Sequence, residues 1–260
     1  MPMFDTHMIL MIAAVAVVGA IIGLDRTAVG QCMISQPIVA GPLTGWMLGD
    51  PTAGIIIGAV LELIWVLDMP VGTFVPADAT VSAVSATAIA AMGSTVGATL
   101  PLIGFCLLLT VAMVPVTMKA EGIVRHWNSR LVDAVMAASG KDAGRALVRA
   151  HFSGLSAFYL KSVFLYLVFL PLGVAAVFVF KQLPENVHRA MSLFVKLLPL
   201  LGIALVVRKL SMNMIDLYVL GGFAIAAVAG HFFHGQAFML LLLVVSGGWL
   251  GARYREWHSQ

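Results

Sequence analysis

The stretch "QPIVAGPLTGWMLGDPTAGIIIGAVLELIW" occupies residues 36–65, and its punctuation decides the fold. Prolines fall at 37, 42 and 51, and glycines at 41, 45, 49, 54 and 58. An uninterrupted transmembrane helix is rarely broken so often. Residues 37–49 are too few to cross about 30 Å of hydrocarbon at about 1.5 Å per residue. Asp50-Pro51 reads as a helix stop followed by a start, because proline suits the first helical turn. The expected structure near residues 33–67 is a re-entrant hairpin: one short helix in, a turn near residues 49–51, one helix back. Irregular backbone at membrane depth is tolerated only where protein buries it or a cavity adjoins it. Broken helices often build transporter substrate sites.

The rest of the chain supplies the membrane. Of 260 residues, 61% are hydrophobic and only 10% charged, with a mean hydropathy of +1.01. A soluble domain is about half apolar and about a quarter charged, so the chain is expected to be an all-α polytopic membrane protein. Residues 8–24 read as a retained first helix rather than a cleaved signal, since no basic region precedes the apolar run. Further spans are expected over residues 96–118, 158–180, 191–207, 214–230 and 238–252. A second interrupted run, "KLLPLLGIALVVRKLSMNMIDLYVLGG", hints at an inverted repeat with the first. The whole reads as one domain: a broken-helix region over 25–93, a basic loop over 119–149 and a helix bundle over 158–252.

Charge sets the topology. The loop holds Lys119, Arg125, Arg130, Lys141, Arg145 and Arg149, while Arg208-Lys209 and Arg253 with Arg255 mark two further basic turns. Positive loops stay in the cytoplasm, so this loop and the carboxyl terminus are placed there. Within the loop, Ile123, Trp127, Leu131, Val135 and Met136 recur at about four-residue intervals, which fits an amphipathic helix or docking surface. The alternative is a solvated connector. No basic stripe with aromatic interleaving points to nucleic acid. Cys32 and Cys106 read as small buried hydrophobes. No phosphate loop, nucleophile elbow or metal motif is present, and no cofactor is expected. His231 and His234 are spaced i, i+3 without an evident third ligand.

The chemistry-bearing residues are few. An ionisable side chain inside a bilayer costs about 2.5–3.5 kcal/mol at the helix centre, and Glu62 lies about 16 Å along a helix begun at Pro51. It either faces a wet cavity or pairs with Lys196 or Arg26. Asp78 precedes a small-residue run and suits a helix N-cap, or it faces a polyhydroxylated ligand at that helix terminus. Asp68 suits a membrane interface. Gln31, Gln36, Thr44 and Asn213 are the other polar residues of the broken segments. Carboxylates and amides at such depth, with the indoles of Trp46 and Trp65, suit a sugar; tryptophans also serve as interfacial anchors.

The runs "QPIVAGPLTGWMLGD", "GIIIGAVLELIW" and "PVGTFVPADA", in that order and spacing, resemble the IIC component of mannose/fructose/sorbose-class permeases of the sugar phosphotransferase system (PTS). The likeness is dense from residue 24 to about 91 and rests beyond that on length and hydrophobic layout. It implies a subunit of the bacterial inner membrane that joins a membrane subunit IID in an oligomeric translocation unit. It also implies a soluble IIA/IIB phosphocarrier that phosphorylates the incoming sugar. It places the sugar against Glu62 and Asp78, with Gln31, Thr44 and Trp65 as further candidates. Arg125, Arg130, Lys141, Arg145 and Arg149 become candidates for partner docking. Two departures stand out: Gln36 replaces an arginine frequent in relatives, and Asp68 stands where a neutral residue is common. The competing expectations are an ion-coupled secondary transporter with Glu62 as proton carrier, and a non-transporting membrane scaffold or receptor.

Overall fold

The computed structural model describes residues 5–26, 28–65, 75–94, 96–138 and 141–210, and every element among them is a helix. In chain order these are α1 (Thr6–Leu24), α2 (Pro37–Met47), α3 (Pro51–Trp65), α4 (Ala79–Met92), α5 (Leu100–Ala137), α6 (Lys141–Phe180) and α7 (Glu185–Leu210). Four of them, α1, α5, α6 and α7, are long and apolar enough to span a membrane. The chain divides into two compact units, residues 1–199 and 200–260. In the second, only the end of α7 is described. The expected spans over 214–230 and 238–252, together with Asp68, Asn213, His231 and His234, lie outside the described residues.

The punctuated stretch folds as two short antiparallel helices. At about 1.5 Å per residue, α2 is about 16 Å long and α3 about 22 Å. They join through Leu48 to Asp50, with Gly49 at φ +82°, a left-handed conformation that glycine adopts without strain. The two backbones touch. A Cβ at Gly58 would lie 2.5 Å from the Pro37 carbonyl oxygen, one at Gly41 2.7 Å from that of Gly54, and one at Gly54 closer still to that of Gly41. This is the close approach that small residues four apart permit between membrane helices.

Asp50 fixes the tip of the hairpin. One carboxylate oxygen accepts from the Ala53 N–H at 3.0 Å and caps α3. The other accepts from the Ala98 N–H at 2.7 Å, ahead of α5. Replacing Asp50 by alanine is expected to destabilise the protein by about 1–2 kcal/mol, through one lost cap and one orphaned amide. A thermal melt of the purified variant against Asp50→Asn, which keeps one acceptor, measures it.

α4 is the axis of the first unit. It packs against α1, α2, α3, α5 and α6, and every residue from Thr80 to Ala90 is buried. Its small side chains let neighbours close in, and glycines on those neighbours complete the fit. A Cβ at Gly19 of α1 would meet Val84 and Tyr166 at 2.9 Å, and one at Gly173 of α6 would collide with Ile89.

The expected central loop is largely helix. Residues 119–137 prolong α5 and residues 141–149 open α6, so the connection is confined to residues 138–140. No proline interrupts the sequence between Pro115 and Ser139. At about 57 and 60 Å, α5 and α6 are each nearly twice the thickness of the hydrocarbon.

Candidate functional site

The end of α3 with Glu62, and the α1–α2 loop with the first turn of α4 tied to it, adjoin the start of α2. Because α2 and α3 run antiparallel, Glu62 near the end of α3 lies beside the first turn of α2. Its Oε2 accepts from the backbone N–H of Ile38 at 3.2 Å. The residue before α2, Gln36, makes no capping side-chain bond. Glu62 therefore satisfies a helix-start amide from 24 residues away, and the N-terminal dipole favours its charge. Pairing of Glu62 with Lys196 or Arg26 is not found. Lys196 is exposed, Arg26 pairs with Asp78, and Glu62 forms no ion pair among the described residues. Half-buried and bonded through one oxygen, Glu62 keeps about three of the four acceptor positions of a carboxylate.

The loop between α1 and α2 organises the surroundings. Gln31 and Met33 hold positive φ, at 54° and 65°, which costs L-residues about 1–2 kcal/mol each. Asp25 offsets that strain by accepting from the Cys32 N–H at 2.7 Å and the Ser35 N–H at 3.1 Å. Burial pushes the Asp25 carboxyl up, but those amides, the Ser35 hydroxyl and the Ile34 amide together hold it below its ordinary value. The Ser35 carbonyl accepts from the Thr80 hydroxyl at 2.7 Å, which ties the loop to α4. Cys106 is buried as its apolar surroundings suggest, but Cys32 is exposed on this loop, because the turn held by Asp25 faces it outward.

Asp78 is both the expected N-cap and more. Its Oδ1 accepts from the Val81 N–H at 3.2 Å and faces Arg26 at 3.4 Å. Its Oδ2 accepts from Lys161 Nζ at 2.7 Å. The same ammonium donates to Glu121 Oε2 at 2.8 Å, and Glu121 Oε1 takes Arg125 at 3.1 Å. Five side chains thus form one chain: Arg26, Asp78, Lys161, Glu121 and Arg125. The central three are at most 8% exposed. Three of the roughly four acceptor positions on Asp78 are filled, so it has far less to offer a ligand than Glu62.

The remaining candidates scatter. Gln31 is exposed on the loop, and Trp65 sits half-buried three residues past Glu62, at the same end of the hairpin. Thr44 is buried farther along α2, where its hydroxyl donates to the Ala40 carbonyl at 2.8 Å. Trp46 is 76% exposed. On the helical arms, Arg130 meets His126 at 3.2 Å, exposed Arg145 lies 3.9 Å from Asp142, and Arg149 is exposed. A cavity of about 440 Å³ lies not beside Glu62 but between the arms, lined by Asn128, Leu131, His151, Gly154 and Phe158 among others.

Sequence reasoning misses Lys161 and Glu121. Lys161 stands in "FYLKSVFLYL" as the fourth residue of the expected span over 158–180, and the rule that singles out Glu62 applies to it as well.

The sequence profile of the family described as PTS system sorbose-specific IIC component matches residues 8–246. The chain belongs to this family. It is thus a multi-pass membrane protein of a bacterial inner-membrane sugar permease class, and the resemblance read from residues 24–91 extends over nearly its whole length. A protein of Escherichia coli (strain K12), provisionally named N-acetylgalactosamine permease IIC component 2, is 35% identical to this IIC chain over 77 residues. That match covers 30% of the chain and 57% of the relative. A solved structure titled "Structure of membrane protein" superposes with a TM-score of 0.68 at 22% identity, covering 97% of this chain and 96% of that one. It shares the fold.

Proposed function

We propose that this IIC chain is the sugar-translocating subunit of a phosphoenolpyruvate-dependent phosphotransferase system. It carries a hexose of the mannose, fructose, sorbose or N-acetylhexosamine type while a IIB partner phosphorylates it. The observation that carries this reading is Glu62: a half-buried carboxylate on an apolar helix, held by a single backbone amide and otherwise free to accept from hydroxyls. Asp78 offers one further acceptor, Gln31 and Trp65 border the same end of the hairpin, and Thr44 lies deeper. The α2–α3 hairpin, too short to span, enters and leaves the membrane from one side and moves as one piece. A IID subunit completes the translocation unit, in which several copies assemble. The carboxyl terminus is cytoplasmic. The soluble IIA/IIB phosphocarrier docks on the basic arms around Arg125, Arg130, Lys141, Arg145 and Arg149.

The test is uptake by membrane vesicles containing the full chain with its partner subunits. Phosphoenolpyruvate and the soluble phosphocarriers should drive accumulation of phosphorylated sugar, and collapse of the proton gradient should leave it unchanged. Uptake of unmodified sugar that a protonophore abolishes would identify an ion-coupled transporter instead.

A further inference from the structure

We propose that Lys161 is a positioning residue of the sugar site, fixing the Asp78 carboxylate at the start of α4 in the orientation a sugar meets. This rests on the reading of Glu62 and Asp78 as sugar-binding groups. Among the described residues three aspartates open helices, and they provide an internal comparison. Asp5, Asp50 and Asp78 each accept from the N–H three residues on, at 2.8, 3.0 and 3.2 Å. Among the described residues Asp5 and Asp50 form no ion pair, so capping does not call for a cation. Asp78 has two cations, and its cap bond is the longest of the three.

Burial alone does not account for the pair. Asp78 and Glu121 carry two negative charges, while Arg26, Lys161 and Arg125 carry three positive ones. Arg26 by itself would neutralise Asp78. What Lys161 adds is direction. Its ammonium is held between two carboxylates, at 2.7 and 2.8 Å, one on each of two different parts of the fold. The two Asp78 oxygens are thereby assigned, Oδ1 to the cap and Arg26, Oδ2 to Lys161. The carboxylate cannot rotate without breaking all three contacts, and the acceptor position left on Oδ2 points one way. A fixed acceptor selects among sugars by where their hydroxyls lie.

The experiment measures sugar uptake against concentration in cells expressing the full chain with its partner subunits. N-acetylgalactosamine, sorbose, mannose and fructose serve as labelled probes. Lys161→Met should raise the half-saturating concentration about tenfold or more, as expected for one displaced charge-assisted acceptor, with the maximal rate changed less. Lys161→Arg keeps the charge, but its planar fork cannot stand at the same point between two carboxylates. It should raise half-saturation about three- to tenfold while the melting temperature stays within about 3 °C. If Lys161→Met does not reach the membrane, Lys161→Arg decides alone. Half-saturation within about twofold of wild type in Lys161→Arg overturns the proposal, as does a Lys161→Arg protein that melts early or is lost from the membrane. Glu62→Gln, run in parallel, separates the two failures. If it too transports normally, the sugar site is elsewhere; if it alone fails, only the role of Lys161 is wrong.

Discussion

Replacing Glu62 by glutamine should lower sugar uptake about 10- to 100-fold while leaving a subunit that folds, inserts and assembles. The amide oxygen of the substituted side chain can still accept from the Ile38 N–H, so the first turn of α2 keeps its distant cap. What disappears is the charge. Hydrogen bonds to a charged acceptor are worth about 1.5–3 kcal/mol, roughly twice those to a neutral one. A carboxylate with about three open acceptor positions can hold two sugar hydroxyls. Weakening two such bonds by about half forfeits about 1.5–3 kcal/mol in all, and each 1.4 kcal/mol is about tenfold. Asp78→Asn should do less to affinity, because three positions on that carboxylate are already taken by Val81, Arg26 and Lys161. The measurements are labelled-sugar uptake and the amount of variant recovered with its partners from membranes. Uptake within about threefold of wild type, or a variant missing from the membrane, would remove Glu62 from the site.

The second large effect is expected in stability. In Gly54→Ala the new methyl would sit closer to the Gly41 carbonyl oxygen than any real Cβ approaches, 2.9 Å from the carbonyl carbon and 3.0 Å from the Pro42 Cα. All three neighbours are backbone, so no rotamer change relieves the clash and the two helices must part. Overpacking of this kind costs about 1–3 kcal/mol, against about 1 kcal/mol gained from alanine's helix propensity. Parting the helices also pulls Ile38 from Glu62, so uptake should fall with stability. Gly122→Ala on α5 is the control, since nothing lies within 4 Å of a Cβ there; propensity alone acts, and it should be neutral or slightly stabilising. Thermal melts of the purified proteins should separate the two by roughly 5–10 °C. Equal melting temperatures would mean that α2 and α3 do not depend on backbone contact.

The hairpin is legible in the sequence because its signals are local. Pro37, Gly49 and Asp50-Pro51 mark starts and stops by what they do to their own backbone, and the Asp78 cap is read from the residues that follow it. The long reach of α5 and α6 is only half legible. The four-residue periodicity of Ile123, Trp127 and Leu131 suggests a helix, but charge marks where a span leaves the hydrocarbon, and a helix can run on past that edge. The ion chain is hidden for a different reason. Lys161 is 83 residues from Asp78 and 40 from Glu121, and no spacing rule connects partners that only tertiary packing brings together. Arg26 shows the same gap. Sequence allows it to reach Glu62 or Asp78 alike, and only the fold directs it to the start of α4.

The enclosure of α4 bears on how the protein is made. At 14 residues, about 21 Å, and with Thr80, Ser82, Ser85 and Thr87 along it, this helix is too short and too polar for the insertion machinery to accept as a span by itself. Its sheath includes α5 and α6, which the ribosome has yet to produce when α4 emerges. Biogenesis therefore cannot proceed span by span from the amino terminus. The enclosure of α4 is complete only once the chain has grown to about residue 180, because helices synthesised after it close its surface.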